Sequence, residues 1–364
     1  MSPTTSASMV FVQSLNPMTG KMEWKSQPED YDYQQELARA AFADMLHDSE
    51  RNQFYYRGLK AAIDLKRSQG QPVHVLDIGT GTGLLSMMAA KIGADSITAI
   101  EEFMPMAKRA QKIIRDNGFA EQIKLVTKRS TGVKVGPNLD MERRANILVT
   151  EVFDTELIGE GAISTFNHAH EHLLTQDCLV VPHTGRLYAQ VVSSDLCSKW
   201  NGVQDISEEL LVPEAHKCSG AKTLALHDLQ LSQLEEAKGH FTPLSDAMLV
   251  FNFDFGQVQS KKAIEKRRQS VKWFEPKSTE MKCDAIFMWW DLIFDPKGEL
   301  VLSCAPNWAK SGDHSKDDMA WRDHWMQAIY YPISSHKQLK ERMYLVSNHD
   351  EYSYWFDIMT SEPK

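Results

Sequence analysis

A glycine-rich turn after a short apolar run is the first place where the sequence could bind a ligand. Gly79, Gly81 and Gly83 stand at alternate positions soon after Asp77. Glycines let the backbone approach a ligand closely and let a following helix pack tightly on a sheet. Glu101 ends the next apolar run, where a carboxylate can accept hydrogen bonds from both ribose hydroxyls of a nucleoside. The alternatives are a nicotinamide site and a structural turn without a ligand.

Two glutamates define a second candidate site. Glu151 directly follows the apolar run at residues 146–150, and Glu160 comes nine residues later between two glycines. Ligands of open parallel sheets bind beyond the carboxyl ends of the strands, so we expect Glu151 to point into the same crevice as the glycine turn. The plain alternative is an acidic turn that only contacts solvent.

The elements that would position these residues alternate in type through the first half of the chain. Strands are predicted at residues 73–78, 96–100, 123–126 and 146–150, and helices at 84–92 and 104–117. One or two further helices are predicted within 31–67, where apolar residues recur at close to 3.6-residue spacing. Strands and helices in alternation predict a parallel sheet with helices on both faces.

The second half of the chain has a different pattern. Aromatic and β-branched runs predict strands at 186–192, 247–255, 283–294, 299–303 and 326–331, with a hairpin turn at 294–299. We therefore predict an α/β fold in which a Rossmann-like domain precedes an antiparallel β-barrel or sandwich domain with a helical excursion at about 195–240. The predicted divisions are an extension at 1–30, the first domain at 31–180 and the second at 181–364.

Composition limits the classes of protein that fit. The 364 residues carry a formal net charge of −9, and 42% are hydrophobic and 24% charged, as in ordinary globular proteins. The acidic balance disfavours a dedicated nucleic-acid binder, which needs positive charge to displace counterions, and weakly favours basic partners. Five widely spaced cysteines disfavour a disulfide framework or a cysteine-rich zinc site. Without a secretory signal or a membrane-length apolar run, we expect a soluble intracellular protein.

The glycine spacing and the two glutamates carry a resemblance to a known family. Preceded by Asp77, the G-x-G-x-G pattern resembles the nucleoside loop of S-adenosylmethionine-dependent methyltransferases. Glu151 and Glu160 match the two acidic positions of the double-glutamate loop in protein arginine methyltransferases, and the chain resembles that family from residue 31 onward. The further markers are Ala99-Ile100-Glu101 and Trp321-Arg322-Asp323-His324-Trp325.

The resemblance implies that Glu151 and Glu160 hold the guanidinium of a substrate arginine. Guanidinium stays charged and delocalised, so its nitrogens are poor nucleophiles. Two carboxylates can fix its plane by bidentate hydrogen bonds and draw positive charge away from the nitrogen that faces the sulfonium methyl of S-adenosyl-L-methionine. The expected products are methylated arginine and S-adenosyl-L-homocysteine, and no metal is required.

Further site residues follow from matching the family's motifs to this sequence. His324 stands in the family's Thr-His-Trp loop, where its partner would be Asp48, and Arg51 stands where the family binds the cofactor's carboxylate. The alternatives are a histidine that only packs beside Trp325 and an arginine that is solvated on a helix. Trp325 and Asp323 would border the substrate, and Asp323 replaces the usual threonine with a negative charge.

Besides Asp323, the sequence departs from the family's pattern at two further points. Residues 128–131 contain no carboxylate where many relatives contact adenine, so Ser130 is the candidate there. The aromatic helix of the family does not align without a gap, which leaves Tyr33 as the candidate cover of the site. Together with Asp77, the glycines and Glu101, these residues make up the predicted cofactor and substrate site.

The resemblance implies a protein arginine N-methyltransferase that forms only ω-N-monomethylarginine (type III). Its partners would be basic proteins such as histones and RNA-associated proteins, without direct nucleic-acid or membrane binding. The family also implies a homodimer or a tandem pseudo-dimer with a second module, and we expect a cytoplasmic and nuclear location. The alternatives are an arginine dimethyltransferase, a methyltransferase of RNA or of a small molecule, and a non-catalytic scaffold that binds the cofactor.

Overall fold

A computed structural model of the chain describes residues 9–15, 18–28, 42–201, 227–232, 240–257, 263–310, 324–332 and 339–363. Two predicted site residues, Tyr33 and Asp323, lie outside this part of the chain, as does most of the predicted excursion at 195–240. Within the described part, no helix has both the length and the apolar character needed to cross a membrane.

An antiparallel hairpin and two helices precede the parallel sheet. The hairpin, which we did not predict, pairs β1 (Met9–Leu15) with β2 (Met22–Pro28), and the helices are α1 (Phe42–His47) and α2 (Ser49–Ser68). The side chain of Asp48 accepts a hydrogen bond of 2.8 Å from the backbone N–H of Arg51, which caps the first turn of α2. Tyr55, Leu59 and Ile63 recur at four-residue spacing and are fully buried, so they form the face of α2 that packs on the core.

A five-stranded parallel sheet forms the centre of the first domain. Its strands are β3 (His74–Ile78), β4 (Ser96–Ile100), β5 (Ile123–Val126), β6 (Ala145–Thr150) and β7 (Leu174–Val181), in the order β5-β4-β3-β6-β7. The helices are α3 (Leu84–Ile92), α4 (Met104–Asp116) and α5 (Ala162–His168). The four predicted strands and two predicted helices of this domain are confirmed to within one residue, whereas β7 was not predicted. The strand order reverses beside β3 and β6, which opens a crevice at their carboxyl ends.

The second domain is built from antiparallel strands, as predicted. After β8 (Thr184–Ser193) and α6 (Asp195–Asn201) come β9 (Asp228–Leu229), β10 (Thr242–Pro243), β11 (Met248–Asp254), β12 (Arg268–Phe274), β13 (Ala285–Ile293), β14 (Val301–Ser303), β15 (Gln327–Tyr330), β16 (Met343–His349) and β17 (Tyr354–Met359). One sheet follows the path β10-β8-β13-β15-β9, with β11 also on β8 and β14 also on β13, and a second sheet has the order β12-β16-β17. The predicted hairpin turn joins β13 to β14.

Strand β13 lies in the middle of the larger sheet and is buried on both faces. Alternate side chains along it, among them Met288 and Trp290, pack into the main core that both domains share. The intervening residues, among them Phe287 and Trp289, pack into a smaller core on the opposite face. This double burial explains why the strand reads as an unbroken apolar run rather than as an alternating pattern.

Candidate active site

A cavity of about 410 Å³ opens at the carboxyl ends of β3, β4 and β6. Its walls come from the glycine turn, the ends of the neighbouring strands, α1 and one segment of the second domain. The predicted site residues that line it are Arg51, Gly79, Gly81, Glu101, Glu151, Glu160 and His324. The crevice therefore gathers residues from positions 51 to 324 into one place.

Asp77 supports the glycine turn from below instead of lining the cavity. One of its carboxylate oxygens accepts hydrogen bonds from the hydroxyls of Thr80 (2.6 Å) and Ser86 (2.7 Å). Burial raises the pKa of Asp77 to about 6, against the lowering effect of those two hydrogen bonds. The residue thus ties the turn to the first residues of α3.

Gly83 differs in position from the other two glycines of the turn. Its φ is +85°, and a Cβ there would lie 2.9 Å from Cγ1 of Ile114 on α4. Gly83 therefore lets α3 pack against α4, while Gly79 and Gly81 face the cavity.

Glu101 is held in the cavity wall by backbone groups. Its two carboxylate oxygens accept hydrogen bonds from the N–H of Gly81 (3.0 Å) and the N–H of Phe103 (2.9 Å). Burial raises the pKa of Glu101, and those backbone hydrogen bonds oppose the effect. Each oxygen has further lone pairs that can accept hydrogen bonds from ribose hydroxyls. Ser130 is also buried, after β5, but it does not line the cavity.

Arg51 and Glu151 form a buried ion pair in the opposite wall. Nη2 of Arg51 lies 2.7 Å from Oε2 of Glu151, and the guanidinium lies 5.1 Å from the ring centroid of Tyr55. Burial lowers the pKa of Arg51, but the negative charge of Glu151 contributes to a net increase. Nε of Arg51 has no hydrogen-bond partner in the described part of the chain, which leaves a donor for a further anionic group.

The segment between the two glutamates folds back so that both line the cavity. Oδ1 of Asp154 accepts hydrogen bonds of 3.1 Å from the backbone N–H of Glu156 and from that of Gly159. A Cβ at Gly159 would overlap the carboxylate of Asp154, so this turn requires a glycine there. The sequence prediction that Glu160 could return beside Glu151 thus has a structural cause in the turn that Asp154 closes.

Glu160 forms no ion pair with any described residue, although it shares the cavity with Glu151. Desolvation raises the pKa of Glu160 to about 7, and the negative charges of Glu151 and Asp154 add to the increase. A cation bound between the two glutamates would reverse this effect by stabilising the ionised carboxylate. A guanidinium has both the charge and the donor geometry for such a site.

Two tryptophans of the second domain hold the backbone of this loop. The indole N–H of Trp290 donates to the carbonyl oxygens of Asp154 and Thr155 (3.1 Å each), and that of Trp325 donates to the carbonyl oxygen of Phe153 (2.9 Å). Trp325 is only 1% exposed and lies beneath the loop instead of in the cavity wall. Sequence reasoning missed Trp290, because nothing in the apolar run of β13 indicates that one of its indole N–H groups donates to the backbone of this loop.

His324 lies between two carboxylates from the N-terminal helices. Its Nδ1 contacts Oδ2 of Asp44, and its backbone N–H donates to the same oxygen at 3.2 Å. Its Nε2 lies 3.4 Å from Oδ2 of Asp48, the partner that the family resemblance implied. Asp44 was missed, although its four-residue spacing from Asp48 places both carboxylates on one side of a helical path.

Glu156 lies in the loop between Glu151 and Glu160 and contacts two side chains of the second domain. The hydroxyl of Tyr330 donates to its carboxylate, and Nε2 of His227 lies 3.5 Å from it. The hydrogen bond to Glu156 raises the pKa of His227, with a further contribution from Asp228. Glu156 is thus held by side chains of the second domain and does not line the cavity.

Comparisons with known proteins identify relatives for both halves of the chain. A family profile described as "Arginine methyltransferase oligomerization subdomain" matches residues 183–348, and one described as "Ribosomal protein L11 methyltransferase (PrmA)" matches residues 60–158. Curated proteins named protein arginine N-methyltransferase 7 align over 97% of this chain. The relative from Drosophila pseudoobscura pseudoobscura is 48% identical over 371 residues, which are 53% of its length. The one from Drosophila willistoni is 49% identical over 370 residues (53% of its length), and the one from Drosophila melanogaster is 47% identical over 371 residues (52% of its length). The chain thus spans about half the length of these relatives.

A solved structure shares the fold. A chain of the Trypanosoma brucei PRMT1 enzyme-prozyme heterotetrameric complex with AdoHcy aligns with a TM-score of 0.61 and 18% identity, covering 87% of this chain and 96% of that chain. This likeness confirms the architecture of a Rossmann-like domain followed by an antiparallel β domain. Close to half of the residues are identical to those of the curated relatives over 97% of the chain, and residues 183–348 match the oligomerization-subdomain profile, so the chain is similar to protein arginine methyltransferases over almost its whole length.

Proposed function

We propose that this chain is a protein arginine N-methyltransferase module that uses S-adenosyl-L-methionine. The observation that carries the proposal is one cavity in which Glu151 and Glu160 face the glycine turn and Glu101. A methyltransferase for RNA or for a small molecule could use the turn and Glu101 in the same way. It would give no reason for two glutamates to be brought together beside His324.

The residues around the glycine turn fit the proposed cofactor. Glu101 presents carboxylate lone pairs to a ribose, and Gly79 and Gly81 leave room for a ligand close to the backbone. Arg51 has a buried Nε without a partner in the described residues, which suits the cofactor's carboxylate. When bound, S-adenosyl-L-methionine would supply a methyl group that is already activated on a sulfonium.

The two glutamates would bind and orient the substrate arginine. Bidentate hydrogen bonds from Glu151 and Glu160 would fix the plane of the guanidinium and concentrate its positive charge away from the reacting nitrogen. That nitrogen loses a proton as it gains the methyl group. We assign this proton to Glu160, because it lines the cavity without an ion pair to any described residue, whereas Glu151 is already paired with Arg51.

We further propose monomethylarginine as the product and basic stretches of histones and RNA-associated proteins as the substrates. These two points extend the family resemblance, and the negative charges at the cavity support a basic substrate. We also propose a cytoplasmic and nuclear location, where such substrates occur, which imaging of the tagged chain would test.

We propose that the chain pairs with itself or with a second module. The match to an oligomerization subdomain, and relatives about twice the length of this chain, support this proposal. Analytical ultracentrifugation of the chain alone distinguishes a self-pairing chain from a monomer.

One experiment tests the proposed activity. The chain is incubated with labelled S-adenosyl-L-methionine and an arginine-rich histone peptide, and the peptide is then hydrolysed to identify the methylated amino acid. A peptide with lysine in place of every arginine is the matched control. We expect label in monomethylarginine alone. Label that is absent from arginine would overturn the activity, and label in dimethylarginine would overturn only the proposed product.

A further inference from the structure

We propose that Asp44 is a positioning residue that sets the orientation of His324 and, through it, the shape of the cavity. The inference rests on the proposed function, because it concerns the same cavity. Asp44 belongs to α1, whereas His324 belongs to the second domain, so their contact joins two parts of the chain that are 280 residues apart.

The contact is made in two ways by one oxygen. Oδ2 of Asp44 accepts the backbone N–H of His324 at 3.2 Å and also contacts Nδ1 of its ring. Two simultaneous interactions fix both the backbone position and the rotation of the imidazole. The side chain of His324 is only 5% exposed, so a change in its orientation would also displace the groups packed around it.

Asp48 is differently placed. Its Oδ1 accepts the backbone N–H of Arg51 at 2.8 Å and caps α2, while its Oδ2 lies 3.4 Å from Nε2 of His324. Asp48 is therefore committed to the start of α2, and Asp44 makes the closer contacts with His324.

The contact leads from α1 to the loop that carries the two glutamates. The ring of His324 packs on that of Trp325, with 4.8 Å between the ring centroids, and the indole of Trp325 donates to the carbonyl oxygen of Phe153. On the other side, Met45, next to Asp44 on α1, lines the cavity. Loss of the Asp44 contact would thus loosen both the α1 wall and the support of the glutamate loop.

The test uses Asp44→Asn, which keeps the size of the side chain and removes its charge. The affinity for S-adenosyl-L-homocysteine is measured by calorimetry, and methyl transfer to the histone peptide is measured separately. Loss of a charge-assisted hydrogen bond should reduce kcat/KM by roughly tenfold or more. Asp64→Asn, at an exposed residue on α2, is the matched control and should behave as the wild type.

A double-mutant cycle separates positioning from a merely structural role. If Asp44 acts through His324, then Asp44→Asn should reduce kcat/KM by a smaller factor in a His324→Gln background than in the wild type, because the ring contact is already gone and only the contact with the backbone N–H remains to be lost. Full additivity of the two losses in cofactor affinity and in kcat/KM would overturn the proposal. So would a single Asp44→Asn variant that binds cofactor and methylates as the wild type does.

The cofactor measurement keeps this proposal distinct from the proposed function. A wild-type chain that binds S-adenosyl-L-homocysteine but leaves arginine unmethylated would overturn the activity, while the Asp44 cycle could still be read from the binding data. A wild-type chain that does not bind S-adenosyl-L-homocysteine would overturn both.

Discussion

Arg51 and Glu151 are joined within the cavity by an ion pair in which both side chains are almost fully buried, at 6% and 8% exposure. Glu160 lines the same cavity and has no ion pair with any described residue. The charge of Glu151 is therefore compensated before any substrate binds, and the charge of Glu160 is not. The two glutamates should respond differently to the same substitution.

Glu151→Gln should both destabilise the fold and abolish methyl transfer. Removing this carboxylate leaves the guanidinium of Arg51 buried without its counterion, which typically costs about 3–5 kcal/mol. Urea unfolding at neutral pH measures the loss of stability, and the peptide assay measures the activity. An unchanged unfolding midpoint would show that solvent or another group compensates Arg51.

Glu160→Gln should abolish methyl transfer without lowering stability. The folded-state pKa of Glu160 is raised to about 7 from its ordinary 4.5, so the wild type loses stability as the pH rises between those values. The substitution removes this loss, and at pH 8 the variant should be equally stable or more stable. Because the carboxylate of Glu160 is exposed to the cavity, the increase in the free energy of unfolding should not exceed about 1 kcal/mol. A large drop in the unfolding midpoint at pH 8 would contradict the assignment.

The activity should depend on pH through Glu160. The carboxylate must be ionised to hold a guanidinium, so kcat/KM should rise as the pH increases through about 7. The corresponding rise in kcat, the kcat limb of the pH profile, should lie at lower pH, because the bound arginine stabilises the ionised carboxylate of Glu160. Asp154→Asn should shift the kcat/KM limb to lower pH, since the charge of Asp154 contributes to the raised pKa. Identical limbs in the wild type and this variant would show that the charge of Asp154 does not act on the group that titrates.

Most of the parallel domain could be predicted from the sequence, because each of its first four strands is a short apolar run followed by a turn or a helix. β7 was missed, since the polar residues Gln176 and Asp177 interrupt its apolar run. In the second domain, β12, β16 and β17 were missed for a similar reason, because polar residues occur along each of them. Local periodicity therefore identifies strands buried on both faces better than strands with one solvated face.

The cofactor side of the cavity could also be predicted, because Gly79, Glu101 and Glu151 each follow directly after a strand of the same sheet. The contacts of Asp44 and Trp290 could not. They join residues 280 and 136 positions apart, and they depend on how the second domain packs on the first. No local pattern carries that information.

Gly159→Ala should abolish methyl transfer with little effect on cofactor binding. The added Cβ would overlap the carboxylate of Asp154, which closes the turn that brings Glu160 back to the cavity. Glu101 and the glycine turn do not depend on this contact, so calorimetry should show nearly unchanged affinity for S-adenosyl-L-homocysteine. Gly132→Ala is the matched control, since a Cβ there meets no atom within 4 Å. Equal activity of the two variants would show that the turn adjusts without moving Glu160.

Trp290→Phe should raise KM for the peptide and lower kcat, while cofactor affinity stays near that of the wild type. Phenylalanine keeps an aromatic ring against Trp325, whose ring centroid lies 4.9 Å away, but loses the N–H that donates to the carbonyl oxygens of Asp154 and Thr155. Leaving buried carbonyls without their donor costs about 1–3 kcal/mol. The loop between the two glutamates can lower this cost by moving, and that movement would disturb the binding of the peptide.

The matched control for this change is Trp273→Phe on β12, where the side chain is 58% exposed and far in sequence from the loop. Steady-state kinetics with varied peptide, together with calorimetry of S-adenosyl-L-homocysteine, separate the two sides of the cavity. If Trp290→Phe changed cofactor affinity as strongly as peptide KM, the indole would support the whole cavity and not the glutamate loop in particular. If Trp290→Phe changed neither, packing alone would hold the loop, and the two hydrogen bonds of the Trp290 indole would contribute nothing to the placement of Glu151 and Glu160.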